Sequence, residues 1–159
     1  MEMLEYAEKA GAENIKFHIE CAEAIGKEAN TTLTILLAAS GTALGYTVKL
    51  FELGNHPYLV GGMVLMTAYL FVLTYYLISM VMGIEAIEAP TNEPANLLHP
   101  DHPLESVREI ELRNLQARIK GNIRRNDKKA GRLNGLRLAV IFVPVLFALG
   151  MGFGVILGG

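Results

Sequence analysis

An all-α polytopic membrane protein, with three transmembrane helices and two long amphipathic helices outside the bilayer, is the fold class this sequence predicts. Two observations carry it. Three segments contain no charged residue, 18 residues from Thr31 to Val48, 28 from Pro57 to Ile84 and 22 from Leu138 to Gly159. The segments around them are rich in charge, and their apolar residues recur at three- and four-residue steps. The composition agrees, with 52% hydrophobic residues, 19% charged residues and a mean hydropathy of +0.33. A bilayer core of about 30 Å takes roughly 20 helical residues, so each uncharged run is long enough to span it.

Residues 1–30 contain no proline and bring Ile15, Ile19, Ala22, Gly26 and Ala29 to helical spacing, with seven glutamates and three lysines around the rest of the surface. This reads as an acidic amphipathic helix that feeds into the first span. No cleavable signal is expected, because the first apolar run follows thirty charged, helix-prone residues. The first span, 31–50, is the most polar of the three, with Thr31, Thr32, Thr34, Ser40, Thr42 and Thr47. The second span, 57–84, is rich in Leu, Val, Met and Tyr, and its tyrosine hydroxyls are candidates for interhelical bonds. Residues 85–103 hold Pro90, Pro94, Pro100 and Pro103, so they read as a linker. Residues 104–137 lack proline and repeat Val107, Leu112, Leu115, Ile119 and Ile123, a second amphipathic helix with ten bases against four acids. An acidic helix and a basic one can bury their apolar stripes together with opposite charges across the seam, within one chain or between two. The third span is 138–159.

Of 14 Lys and Arg residues, ten lie between Arg108 and Arg137, and this loop between the second and third spans is expected on the cytoplasmic side. The N-terminus is then cytoplasmic, the C-terminus outside, and the bacterial inner membrane is the expected location. The single cysteine, Cys21, rules out an internal disulfide.

Gly150, Gly154 and Gly158 recur at four-residue steps in the third span, and Gly41 and Gly45 repeat the step once in the first. Small residues at this spacing let helix backbones approach, so these five are the candidate residues for helix packing or homo-oligomer contact. On the first span, Lys27, Thr31, Thr34, Ala38, Gly41, Gly45, Lys49 and Glu52 form a polar-to-small strip. Thr31, Thr34, Ala38 and Thr42 are the candidate pore-lining residues, against the plainer reading that their hydroxyls return to backbone carbonyls. No Asp, Glu, Lys, Arg or His lies within the runs Thr31–Val48, Pro57–Ile84 and Leu138–Gly159, which argues against proton- or ion-coupled transport. Arg124, Arg125, Lys128, Lys129 and Arg132 are candidates for contact with anionic lipid headgroups or with a partner. Nucleic acid is not an expected partner, since no binding fold or interleaved aromatic residues accompany the basic run.

His99 and His102 sit in His-Pro-Asp-His-Pro, which matches no established ligand spacing, so no metal and no cofactor is expected. There is no phosphate loop, nucleophile elbow or paired His-Glu motif, and an enzyme is not expected. The run Ala24-Ile-Gly-Lys-Glu-Ala-Asn-Thr-Thr-Leu-Thr-Ile-Leu-Leu-Ala-Ala-Ser-Gly41 takes a charged helix into a Thr-rich, small-residue span. In layout it resembles the start of small bacterial membrane effectors of nucleotide-signalling defence systems, including the two-span SLATT proteins. The resemblance covers the first two spans and implies oligomers that perturb or permeabilise the inner membrane when a cytoplasmic partner or second messenger signals infection. Two other readings stay open, a non-catalytic anchor or accessory subunit of a larger complex, and a phage holin-like protein.

Overall fold

The computed structural model describes residues 2–54, 57–93, 96–97 and 101–158, and the side chains of all of these except Glu2, Leu157 and Gly158. The protein is all-α: α1 runs Glu2–Leu53, α2 Pro57–Tyr76 with a π-helical continuation Leu77–Val81, α3 Leu104–Val140 and α4 Val143–Gly158. Two helices, Met3–Leu53 and Pro57–Val81, are long and apolar enough to cross a membrane. A third candidate exists if Leu104–Val140 and Val143–Ile156, bent by 43°, count as one broken span.

The chain folds as two compact units, one of Met1–Ile25 with Ile84–Lys129, the other of Gly26–Gly83 with Ala130–Gly159. In the first unit the acidic stretch of α1 packs on the basic stretch of α3 within one chain. Ile15 is fully buried against Leu115 and Ile119, with Ile19, Leu112 and Ile123 around them. These are the apolar positions of the two amphipathic patterns, and their burial removes from water the stripes that neither helix covers alone. Opposite charge meets across the seam where Arg108 donates to both carboxylate oxygens of Glu8, at 2.7 and 2.6 Å. The described part of the linker is held along α3: Asn122 accepts from the Glu88 backbone N–H at 3.0 Å and donates to its carbonyl at 3.1 Å, and Asn92 donates to Glu111.

In the second unit, Leu36, Ala43, Leu70, Leu73, Leu77, Leu133 and Leu136 form the core. Gly54, at φ 62°, closes α1 in the left-handed conformation that glycine adopts without a Cβ penalty, and its N–H reaches the Phe51 carbonyl. The third uncharged run is divided differently from the 138–159 span expected. Residues 138–140 finish α3, Ile141 and Phe142 make three-residue turns onto Leu138 and Ala139, and α4 restarts at Val143. Pro144 is the cause: it has no N–H for the Val140 carbonyl and its ring crowds that carbonyl, so the ladder breaks there. The second run also stops short of residue 84, because Leu77–Val81 is a π-turn closed by Met82 N–H on the Leu77 carbonyl at 3.0 Å.

Candidate functional site

Within the second unit α1 has three different sides. Its core side carries Leu36, Ser40, Ala43 and Thr47, all buried. At about 100° per residue, Thr31, Thr34, Ala38, Gly41 and Gly45 fall on the opposite side, and all five are exposed, as are Lys27, Lys49 and Glu52 at either end of the strip. A Cβ added at Gly41 or Gly45 would meet nothing within 4 Å. Thr31 donates to the Lys27 carbonyl at 3.1 Å, Thr32 to Glu28 at 2.8 Å and Thr34 to Asn30 at 3.1 Å. Large exposed apolar side chains, Leu37, Leu44 and Val48, lie beside the strip.

The remaining flank of α1 borders a cleft. Its first part, about 450 Å³, lies between Lys27, Glu28, Thr31, Thr32 and Arg137, with Ile35, Leu36 and Val140 at its apolar end. Those last three residues also begin a second part, about 600 Å³, which passes Ala38, Thr42 and Tyr46 on α1, Met63, Met66 and Leu70 on α2, and Val143 and Pro144. The two parts therefore lie next to each other, with these three residues as common walls. Of the candidate pore-lining residues, Thr31 borders the polar part, Ala38 and Thr42 border the apolar part, and Thr34 stands on the outer strip alone. Arg137 forms an ion pair with Glu28 at the charged end.

The glycines of the first and last apolar runs have different environments. A Cβ at Gly150 would lie 2.5 Å from the Gly61 carbonyl oxygen, and one at Gly154 would lie 2.5 Å from that of Pro57, so α2 and α4 run antiparallel with backbones in contact. Gly61 and Gly62 complete the contact: a Cβ at Gly62 would come within 2.9 Å of Phe147 and Met151. Gly150 and Gly154 are thus used inside the chain, whereas Gly41 and Gly45 are not. The surroundings of Gly158 lie outside the described residues. Tyr69 donates its hydroxyl to the Ala139 carbonyl at 3.0 Å, beside the break before α4.

The basic candidates do not share one environment. Arg124 is exposed, while Arg125 has its Nε and Nη1 buried without a hydrogen-bond partner among the described residues. Lys128 lies 3.7 Å from Glu85, and Lys129 is half-buried and engaged. Arg132 donates to the Met80 carbonyl at 2.6 Å, satisfying one of the carbonyls freed at the end of the π-turn. In the first unit, the guanidinium of Arg108, hydrogen-bonded to Glu8, holds that carboxyl below the usual carboxylate range, and Glu8 in turn raises Arg108.

His18 stacks edge-on to Phe17, and its backbone carbonyl accepts from Asn126 at 2.7 Å. His56 and His99 lie outside the described residues, and no three His, Cys, Asp or Glu converge as metal ligands among the rest. Sequence reasoning did not single out Asn122 and Asn126, both buried. The signal was present, because Leu115, Ile119, Asn122 and Asn126 follow one three- and four-residue progression, placing two amides where the stripe calls for apolar side chains. The Thr47–Thr67 hydroxyl contact at 3.2 Å, joining α1 to α2, had no such signal.

The chain matches no described protein family, and no curated protein or solved structure is significantly similar to it.

Proposed function

We propose that this protein is a non-catalytic, membrane-spanning helical protein that works as a homo-oligomer, opening or perturbing the bacterial inner membrane as an effector of a defence or stress response. The observation that carries this reading is the exposed strip Thr31, Thr34, Ala38, Gly41 and Gly45, on the side of α1 opposite its own core. Lipid tails give helices little hydrophobic drive to associate, so a small-residue strip that none of the described residues of its own chain covers is suited to the close approach of another copy. The hydroxyls in the strip give the contact a polar character that a lipid-facing surface does not need. The packing glycines Gly150 and Gly154 are occupied by α2, which leaves the first span to supply the contact between copies. In this reading the basic α3 lies on the cytoplasmic side, where a signalling partner would reach it, and the C-terminus lies outside.

A second reading, a membrane anchor or accessory subunit of a larger complex, is favoured by the internal bonds of Thr31, Thr32 and Thr34, whose hydroxyl protons are already given to backbone carbonyls. The mass of the purified chain in mild detergent, paired with ion leakage from liposomes that contain it, separates the two. A defined oligomer that leaks, alone or on addition of a nucleotide, supports the effector. A defined oligomer that stays sealed supports the anchor, and a monomer contradicts self-association.

A further inference from the structure

We infer that the cleft beside α1 is a binding site for one anionic glycerophospholipid, its phosphate at Lys27 and Arg137 and one acyl chain along the apolar part. The inference rests on the membrane reading above, but not on self-association.

The first argument is continuity. The charged part and the apolar part share the walls Ile35, Leu36 and Val140, so one amphiphile can occupy both without crossing a polar barrier. The second is depth. Lys27, Glu28 and Arg137 are the last charged residues before the uncharged runs of the first and third apolar segments, which puts them at headgroup level if those runs enter the bilayer. From Thr31 to Tyr46 the α1 wall extends about 22 Å at 1.5 Å per residue, more than the roughly 15 Å of one leaflet's hydrocarbon. The third is charge. Two cations face one carboxylate at the rim, and the guanidinium that pairs with Glu28 keeps further N–H groups for a phosphate. Thr31 and Thr32 give their hydroxyl protons to backbone carbonyls, so their oxygens are left to accept from a hydroxylated head such as that of phosphatidylglycerol. A zwitterionic choline head would set its own cation beside Lys27 and Arg137 and has no hydroxyl to donate.

The test is native mass spectrometry of the full chain in mild detergent, titrated with phosphatidylglycerol or phosphatidylcholine. One phosphatidylglycerol per chain is expected to be retained in preference to phosphatidylcholine. Joint replacement Lys27→Gln and Arg137→Gln should weaken that retention by more than tenfold, at about fivefold per cation. Glu28→Gln, which releases Arg137, should strengthen it. Ala39 also lines the apolar part, and Ala39→Phe, which fills it, should weaken retention of both lipids. Equal binding of the two lipids, or no response to the paired charge variant, overturns the proposal. So does displacement by soluble glycerol 3-phosphate, which would make the ligand a free phosphate, or a cleft filled in the oligomer by a second copy with no lipid retained. If the paired variant fails to fold, Glu28→Gln and Ala39→Phe decide the matter on folded protein. Carbonate-resistant membrane association, measured on the same variants, reports on the membrane reading separately: a chain that stays inserted yet retains no lipid refutes only the cleft.

Discussion

At the scale of single residues, glycines and buried amides contribute in ways that their exposure decides. Replacing Gly150 by Leu forces a side chain into a backbone that would lie 2.5 Å from its Cβ, and overpacking of this kind costs about 1–3 kcal/mol or more. Thermal unfolding in mild detergent should show that loss, whereas Gly41→Leu should leave unfolding nearly unchanged and instead lower the mass of the assembled species. Asn122, only 1% exposed, holds both backbone groups of Glu88, and Asn122→Ala removes two hydrogen bonds while stranding their partners. A cost of about 1–3 kcal/mol is expected, together with faster proteolysis of residues 84–93. The Glu8–Arg108 pair sets a pH dependence. Because the Glu8 carboxyl is held below its ordinary range, its stabilising contribution is fully present above that range and is lost as pH falls through the lowered folded-state value. Acid titration of unfolding should therefore show a component below about pH 4.3 that Glu8→Gln abolishes; an unchanged profile contradicts the pairing.

At the scale of elements, the sequence was most readable where one physical rule dominated. The stripe Ile15 and Ile19 and its counterpart Leu115 and Ile119 were legible because amphipathic periodicity follows directly from burial on one helix face. The uncharged runs were legible as apolar segments, but their internal breaks were not. Pro144 sits in an otherwise continuous run, and a proline near a helix start and a proline that splits a helix look alike until neighbouring carbonyls are counted. The π-turn Leu77–Val81 had no sequence signal at all, since one extra residue in a helical turn depends on packing and on partners such as Arg132. Pro144→Ala restores a donor for the Val140 carbonyl. It should join α3 to α4 and lessen the 43° bend, which spin labels at positions 138 and 149 would report as a longer, narrower distance distribution.

At the scale of the whole molecule, each unit closes its own core and leaves a different surface for other molecules. The first unit packs the acidic stretch of α1 against the basic stretch of α3 inside one chain, with opposite charges meeting at Glu8 and Arg108. The second unit consumes the glycines of α4 against α2 and leaves the small-residue strip of α1 uncovered, a division invisible in the sequence because both glycine pairs have the same four-residue spacing. Which glycines meet within the chain depends on the antiparallel α2–α4 contact, a long-range fact that local spacing does not encode. We propose that copies of the chain join through this uncovered strip. Disulfide trapping in native membranes tests it directly, using Thr34→Cys in a Cys21→Ser background beside Leu44→Cys on the apolar flank. Efficient cross-linking between copies is expected at position 34 and little at 44; equal trapping at both positions, or none at 34, rules out self-association through the strip.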